Sequence, residues 1–283
     1  MLDAWPVTRH AAGVVARRGA GTGMHGARSG DAGARFPWAS VTKLATALCV
    51  LVAVEEGVVA LDEPAGPPGS TVRHLLAHAS GLGPDGAVLA APGRRRIYSN
   101  EGFRELGRIV AARSGLAYRE YLSEAVLDPL GMRGTRMAPG TADPAGAGDP
   151  AAGLIGPLGD LLALGRELLR PTVVHRDTLT AATAVAFPGL AGVLPGFGRQ
   201  DPCDWGLGFE VRDAKHPHWT GARNSPETFG HFGQAGGFLW VDPVAGVACA
   251  VLTDREFGPW AAQAWPVLSD AVLAETSSGW PNP

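Results

Sequence analysis

FPWASVTKLATALCVLVAVEEG, Phe36–Gly57, sets a serine and a lysine three residues apart at the mouth of an apolar run. Leu44, Ala47, Leu48, Leu51 and Val52 follow the i, i+3, i+4 spacing of a buried helix, and Gly57 offers a C-terminal stop. On such a helix Ser40 and Lys43 share a face with Cβ atoms about 5–6 Å apart, so the amine reaches the hydroxyl. The helix N-terminus adds free N–H groups and a positive dipole that favour a developing oxyanion. A plainer reading competes, because serine is a favoured N-cap and lysine is common on helices. Ser-x-x-Lys alone does not choose between them.

The bulk of the chain narrows the choice of class. With 283 residues it can bury a large core, as one domain or two closely packed lobes. It is 46% hydrophobic and 18% charged, as a globular protein is, and its 40 glycines and 23 prolines make it loop-rich without reaching a disordered composition. A net charge of -3 leaves no electrostatic footprint for nucleic acid. Cys49, Cys203 and Cys249 are odd in number and scattered, so no disulfide framework or C-x-x-C site is written. The start lacks a basic region followed by an apolar stretch, and the apolar run Leu44–Val54 is about half what a bilayer crossing requires. The expectation is a cytoplasmic protein with no membrane partner and no nucleic-acid partner.

Along the chain, AAGVVARRGAGTGMHGARSG reads as two strands around a glycine-rich turn. Gly21, Gly23 and Gly26 form a G-x-G-x-x-G, but no helical period or suitably spaced acid follows, so a hairpin is preferred to a dinucleotide fingerprint. STVRHLLAHASG, NEGFRELGRIVAARSG, YREYLSEAVLDPLG and IGPLGDLLALGRELLRP each read as a short helix ended by Gly or Pro, and residues 140–152 as a small-residue loop. Beyond residue 203 the period becomes that of strands, in WGLGFEVRD, GGFLWVDP and GVACAVLTD, with DPVAG as a hairpin loop. The tail returns to helical spacing at Trp260, Ala264, Trp265, Leu268 and Val272, where Pro266 either kinks the helix or marks its start. The expected fold is α/β (α+β): an antiparallel sheet from both termini flanked by helices, with an all-helical insertion. Residues 1–39 and 200–283 would form the sheet lobe and 40–199 a mainly helical lobe, with the active site between them.

Two further motifs decide the meaning of Ser40. YSN places Tyr98 and Asn100 just before a helix, and GHFGQAGG puts His231 among glycines ahead of a strand, where backbone can approach a ligand closely. Ser-x-x-Lys, Tyr-x-Asn and His-x-Gly in this order resemble the penicillin-recognising serine hydrolases, in their class C β-lactamase-like and esterase branch. HLLAHASGL, YSNEGF, YLSEAVLDPLGM and FLWVDP are similar to that family's framing sequences, and the resemblance spans about residues 10 to 275. It implies a β-lactamase/transpeptidase-like fold and an acyl-enzyme on Ser40, with Lys43 and Tyr98 sharing the proton traffic and no metal or organic cofactor. It further implies an oxyanion hole from the N–H groups of Ser40 and Gln234, with Asn100 orienting Lys43 or the acyl amide. His231 would line the far wall, bonded to Tyr98 or the leaving group. If it titrates near neutrality, a rate change follows between about pH 6 and pH 7.5.

One departure shifts the substrate. Phe232 fills the middle of His-x-Gly ahead of Gly233, where a hydroxyl residue is common in the branches that grip a carboxylate. The expected substrate is therefore a small ester or similar acyl compound, hydrolysed or passed to another acceptor. A D-Ala-type amidase or weak β-lactamase is the alternative within enzymes, and an inert binding protein the alternative outside them. His78 reads as framework, Arg94–Arg96 as a solvated charge run, and Trp38, Trp205 and Trp219 as packing residues, Trp219 also as a possible pocket rim. His216 and His218 look like metal ligands but lack the third that a zinc site needs.

Overall fold

Strands form at both ends of the chain where short runs rich in small, β-branched and aromatic residues lie between turn signals. The computed structural model describes residues 2–17, 24–138 and 148–277. In it β1 (His10–Arg17), β2 (Met24–Gly30), β8 (Glu210–Val211), β9 (Phe229–Phe232), β10 (Phe238–Asp242) and β11 (Val247–Thr253) make one sheet in the order β2-β1-β11-β10-β9-β8. Every pairing in it is antiparallel, with Val14 opposite Cys249 and Cys249 opposite Trp240. The N-terminal strand thus lies beside the C-terminal one. Gly21 and Gly23 lie outside the described residues, but Gly26 sits within β2 opposite Val15, so the expected hairpin stands and no helix opens there.

Alternation along the strands sends side chains into two separate cores. Leu239, Val241, Ala248 and Ala250 point to the core shared with α1 (Thr42–Glu55) and α5 (Leu158–Leu169). Phe238, Trp240, Cys249 and Val251 point the other way, onto Trp265, Leu268 and Val272 of α7 (Pro259–Ser277). Both faces are covered, which is why VACAVL reads as an unbroken apolar run. Pro266 lies inside α7, so it does not mark the start of that helix. Asp242 closes the β10–β11 hairpin by accepting the N–H groups of Val244 and Ala245.

The middle of the chain supplies α1, α2 (Val72–Leu76), α3 (Asn100–Ser114), α4 (Tyr118–Leu122), α5 and α6 (Arg176–Thr183). Short strands interrupt the helices: β3 (Arg35–Pro37), β5 (Leu154–Pro157) and β4 (Arg136–Met137) make a small sheet, and β6 (Gly192–Leu194) and β7 (Gly198–Gln200) a hairpin. The region expected as helical insertion therefore carries strand as well. Of the loop expected at 140–152, residues 140–147 lie outside the described residues. Helix α1 is buried on all sides from Thr42 to Ala53, as a helix apolar all round must be, and Gly57 follows it at φ 72°. Among the described residues no helix is long and apolar enough to cross a membrane.

Candidate active site

Ser40 is not a helix cap. It sits in a 3₁₀ turn, Ala39–Val41, ahead of α1, whose N-cap is Val41 with no side-chain capping bond. Ala39 is held at φ 45°, a left-handed conformation costing an alanine about 1–2 kcal/mol, which the surrounding packing sustains. β9 pins the turn from the other side. A Cβ on Gly233 would fall 2.4 Å from the Trp38 carbonyl and 3.3 Å from the Ser40 nitrogen, so only glycine lets the strand end come this close. The turn that follows is closed by Gly233 N–H to Gly237 O and Gly236 N–H to Gly233 O. Among the described residues the Gln234 N–H has no hydrogen-bond partner.

Three segments distant in sequence meet at the Ser40 hydroxyl. Tyr98 OH donates to Ser40 Oγ at 2.8 Å, and Lys43 Nζ lies 3.3 Å from the same oxygen. Lys43 is fully buried and also donates to Asn100 Oδ1 at 2.7 Å and to the Ala151 carbonyl at 2.9 Å. Burial lowers its pKa to about 7, with Asp149 opposing the shift and Arg104 adding to it. Burial raises the Tyr98 phenol well above its usual range despite the bond to Ser40. At neutral pH the site therefore holds a phenol beside an amine that is about half deprotonated.

The neutral amine's bonding is fully assigned. Asn100 Oδ1 and Ala151 O are acceptors, so they take its two N–H groups and leave its lone pair for the Ser40 proton. Segment 149–154 is fixed against α1. Thr46 Oγ1 donates to Pro150 O, Leu154 N–H donates to Thr42 Oγ1, and Asp149 accepts from Ala151 N–H while paired with Arg104. Nothing in the spacing of residues announces Ala151 or Asp149.

The expectation for His231 needs correction. Its Nδ1–H donates to the Phe232 carbonyl at 2.6 Å, and its Nε2 has no partner among the described residues, so it makes no hydrogen bond to Tyr98. Burial first, and then Lys43, lower its pKa to about 3. A rate change between about pH 6 and pH 7.5 is therefore not expected from this ring, whereas Lys43, lowered by burial to about 7, falls in that range.

Other residues also depart from their sequence reading. Arg96 is buried, not solvated, and its guanidinium donates to the carbonyls of Ala77, Cys203, Ala186 and Phe187. Arg94 and Arg95 are exposed, as a charge run would be. His78, at φ 52°, accepts from Ser99 N–H and stacks 4.7 Å from Tyr98, so this framework histidine orients the turn that carries the phenol. Trp205 lines the cavity, whereas Trp219 is buried behind it. His218 bonds to Glu210 at 3.0 Å, and among the described residues no group of three or more His, Cys, Asp or Glu could hold a metal ion.

The cavity over Ser40 has a volume of about 200 Å³ and is walled by Tyr98, Asn100, Trp205, His231, Phe232 and Gln234 among others. Phe232 is held there by Phe257, Phe197, Trp219 and Trp265. A larger groove of about 390 Å³ runs between residues 63–70 and α3, but it holds no serine–amine pair.

Comparison with known proteins agrees with this architecture. Residues 3–273 match the Beta-lactamase family model. The chain is 25% identical to "Penicillin-binding protein 4" of Amycolatopsis lactamdurans over 77% of its length and 72% of that protein's. A crystal structure described as a β-lactamase from Mycobacterium bovis shares 53% identity, covers 97% of both chains and superposes with a TM-score of 0.91. EstCE1, described as a hydrolase with promiscuous acyltransferase activity, shares the fold at 19% identity and TM-score 0.73, over 96% of this chain and 95% of its own. With mixed α/β architecture, antiparallel sheet and the family model matched over nearly its whole length, this chain belongs to the Beta-lactamase family.

Proposed function

We propose that the protein is a serine hydrolase that forms an acyl-enzyme on Ser40, cleaving small carboxylic esters or passing their acyl group to another acceptor. The observation that carries this reading is the convergence of Lys43 Nζ and Tyr98 OH on one hydroxyl that opens to a cavity. Neutral Lys43 takes the Ser40 proton as Oγ bonds to the acyl carbon and the carbonyl electrons move to oxygen. The N–H groups of Ser40 and Gln234 receive that oxyanion. When it collapses, the C–O bond to the leaving group breaks and that oxygen takes the Tyr98 proton, which the Lys43 ammonium restores. Water or an alcohol then repeats the sequence in reverse on the acyl-enzyme.

Phe232 supports an ester over a carboxylate-bearing substrate, because an aromatic ring stands where a hydroxyl would grip the anion. The shared fold with EstCE1 is compatible with both hydrolysis and transfer. A second reading, β-lactam hydrolysis, is favoured by the 53% identity to the Mycobacterium bovis protein described as a β-lactamase. Intact-protein mass spectrometry separates the two. A fluorophosphonate and short p-nitrophenyl esters are expected to add mass to the Ser40 peptide, and Ser40→Ala is expected to abolish labelling and turnover. Rapid turnover of penicillin with slow ester cleavage would replace the first reading by the second, and no labelling by any acylating probe would leave an inert binding protein.

A further inference from the structure

The cavity wall carries two polar groups that the acyl-transfer steps leave unused. Glu210 of β8 is 2% exposed and faces the cavity. Its Oε1 accepts from Lys215 Nζ at 2.5 Å, and its Oε2 from His218 Nε2 and Trp219 Nε1, each at 3.0 Å. Lys215 is itself buried and donates to the carbonyls of Asp204 and Val211 as well. These donors hold the carboxylate ionised against the burial that would protonate it. None of Lys215, His218 and Trp219 lines the cavity, so the carboxylate stands between its donors and the open space. A carboxylate offers about four acceptor positions, and the three donors leave one free on Oε1.

His231 supplies the second group. With Nδ1–H committed to the Phe232 carbonyl, Nε2 carries a lone pair, is buried, lines the cavity and has no partner among the described residues. An acceptor in that position takes its hydrogen bond from a donor that enters the cavity. Among the described residues the wall contains no lysine, arginine or threonine. Asn100 and Gln234 bring side-chain N–H donors to the cavity; apart from these amides and the catalytic hydroxyls, its polar groups are the acceptors of Glu210 and His231, with the negative end of the Lys215–Glu210 pair turned inward.

We propose that Glu210, braced by Lys215, His218 and Trp219, is a specificity-determining residue that selects substrates presenting a hydrogen-bond donor, ammonium or hydroxyl, and turns away carboxylates. The inference rests on the acyl-enzyme reading of Ser40 and names the substrate class for that site. Like charge against a buried carboxylate and an unpaired acceptor both penalise an anion, whereas a donor satisfies both positions.

Four para-substituted phenyl acetates test it: methyl, hydroxymethyl, ammoniomethyl and carboxymethyl. A methylene insulates the ester from each polar substituent, and none of the four cyclises onto its own ester. Near neutral pH, kcat/KM is expected to be at least roughly tenfold higher for the ammoniomethyl than for the carboxymethyl ester, with hydroxymethyl above methyl. A smaller ratio, or methyl preferred to hydroxymethyl, overturns the proposal. Glu210→Gln is expected to shrink the ammoniomethyl to carboxymethyl ratio at least roughly fivefold, a quantity independent of the fraction of protein folded. An unchanged ratio removes Glu210 from the assignment, and the wild-type series decides alone if that variant does not fold. Equal hydrolysis of all four esters defeats this inference and leaves the Ser40 reading intact; hydrolysis of none, with no labelling of Ser40, defeats both.

Discussion

Asp149→Asn is expected to move the acid limb of the pH–rate profile downward. The carboxylate bonds the Ala151 N–H at 2.9 Å, and the Ala151 carbonyl bonds Lys43 Nζ at 2.9 Å, so the charge lies no more than about 9 Å from the amine. At that distance and an effective dielectric near 20, a unit charge is worth about 2 kcal/mol, or somewhat more than one pH unit. Asp149 is 29% exposed at its side chain, so solvent screening reduces the shift to between about half and one pH unit. The sign follows from the charge: the carboxylate favours the protonated amine, and its removal favours the neutral one. Arg104, freed of its partner, pushes the same way. The asparagine oxygen keeps the Ala151 bond, so the geometry around Lys43 is preserved. With the wild-type inflection at about 7, the variant's falls toward about 6, and at about pH 6 it should be roughly three to five times faster relative to its own plateau. The assay is kcat/KM for a non-ionising aryl ester from about pH 5 to about pH 9, corrected for spontaneous hydrolysis. An inflection that stays put or rises would refute the assignment of Lys43 as the base.

Tyr98→Phe should lower kcat by about 10²–10⁴-fold, with a larger loss for an alkyl ester than for a p-nitrophenyl ester, whose leaving group needs no proton; equal losses would remove Tyr98 from the acid role. Arg96→Met should cost about 3 kcal/mol by stripping two buried and two part-buried carbonyls of their donor, lowering the thermal midpoint by roughly 5–10 °C. A melting curve unchanged from wild type would mean that those carbonyls find other donors.

Much of the fold is legible in the sequence because its signals are local. The strand-length apolar runs at both ends pair across the whole length of the chain, and α1, α3, α5 and α7 lie where their spacing puts them. Two of the three ordered motifs supply Ser40, Lys43, Tyr98 and Asn100, and these do converge. Local spacing failed where burial decides. Arg96 looks like its two exposed neighbours in a charge run, yet it is enclosed by residues about a hundred positions away. Glu210 reads as one acid in a short strand, and only folding sets Lys215, His218 and Trp219 behind it and the cavity in front.

The sequence alone determined which side chains are available and in what order: a hydroxyl and an amine one helical turn apart, a phenol at the head of another helix, and an imidazole beside a glycine. Tertiary structure decided their ionisation. Enclosure lowers the Lys43 amine to about 7 and keeps Tyr98 a phenol, and burial, then the nearby Lys43, keep His231 neutral. Periodicity is written in neighbours along the chain, whereas desolvation depends on whatever the fold packs around a group.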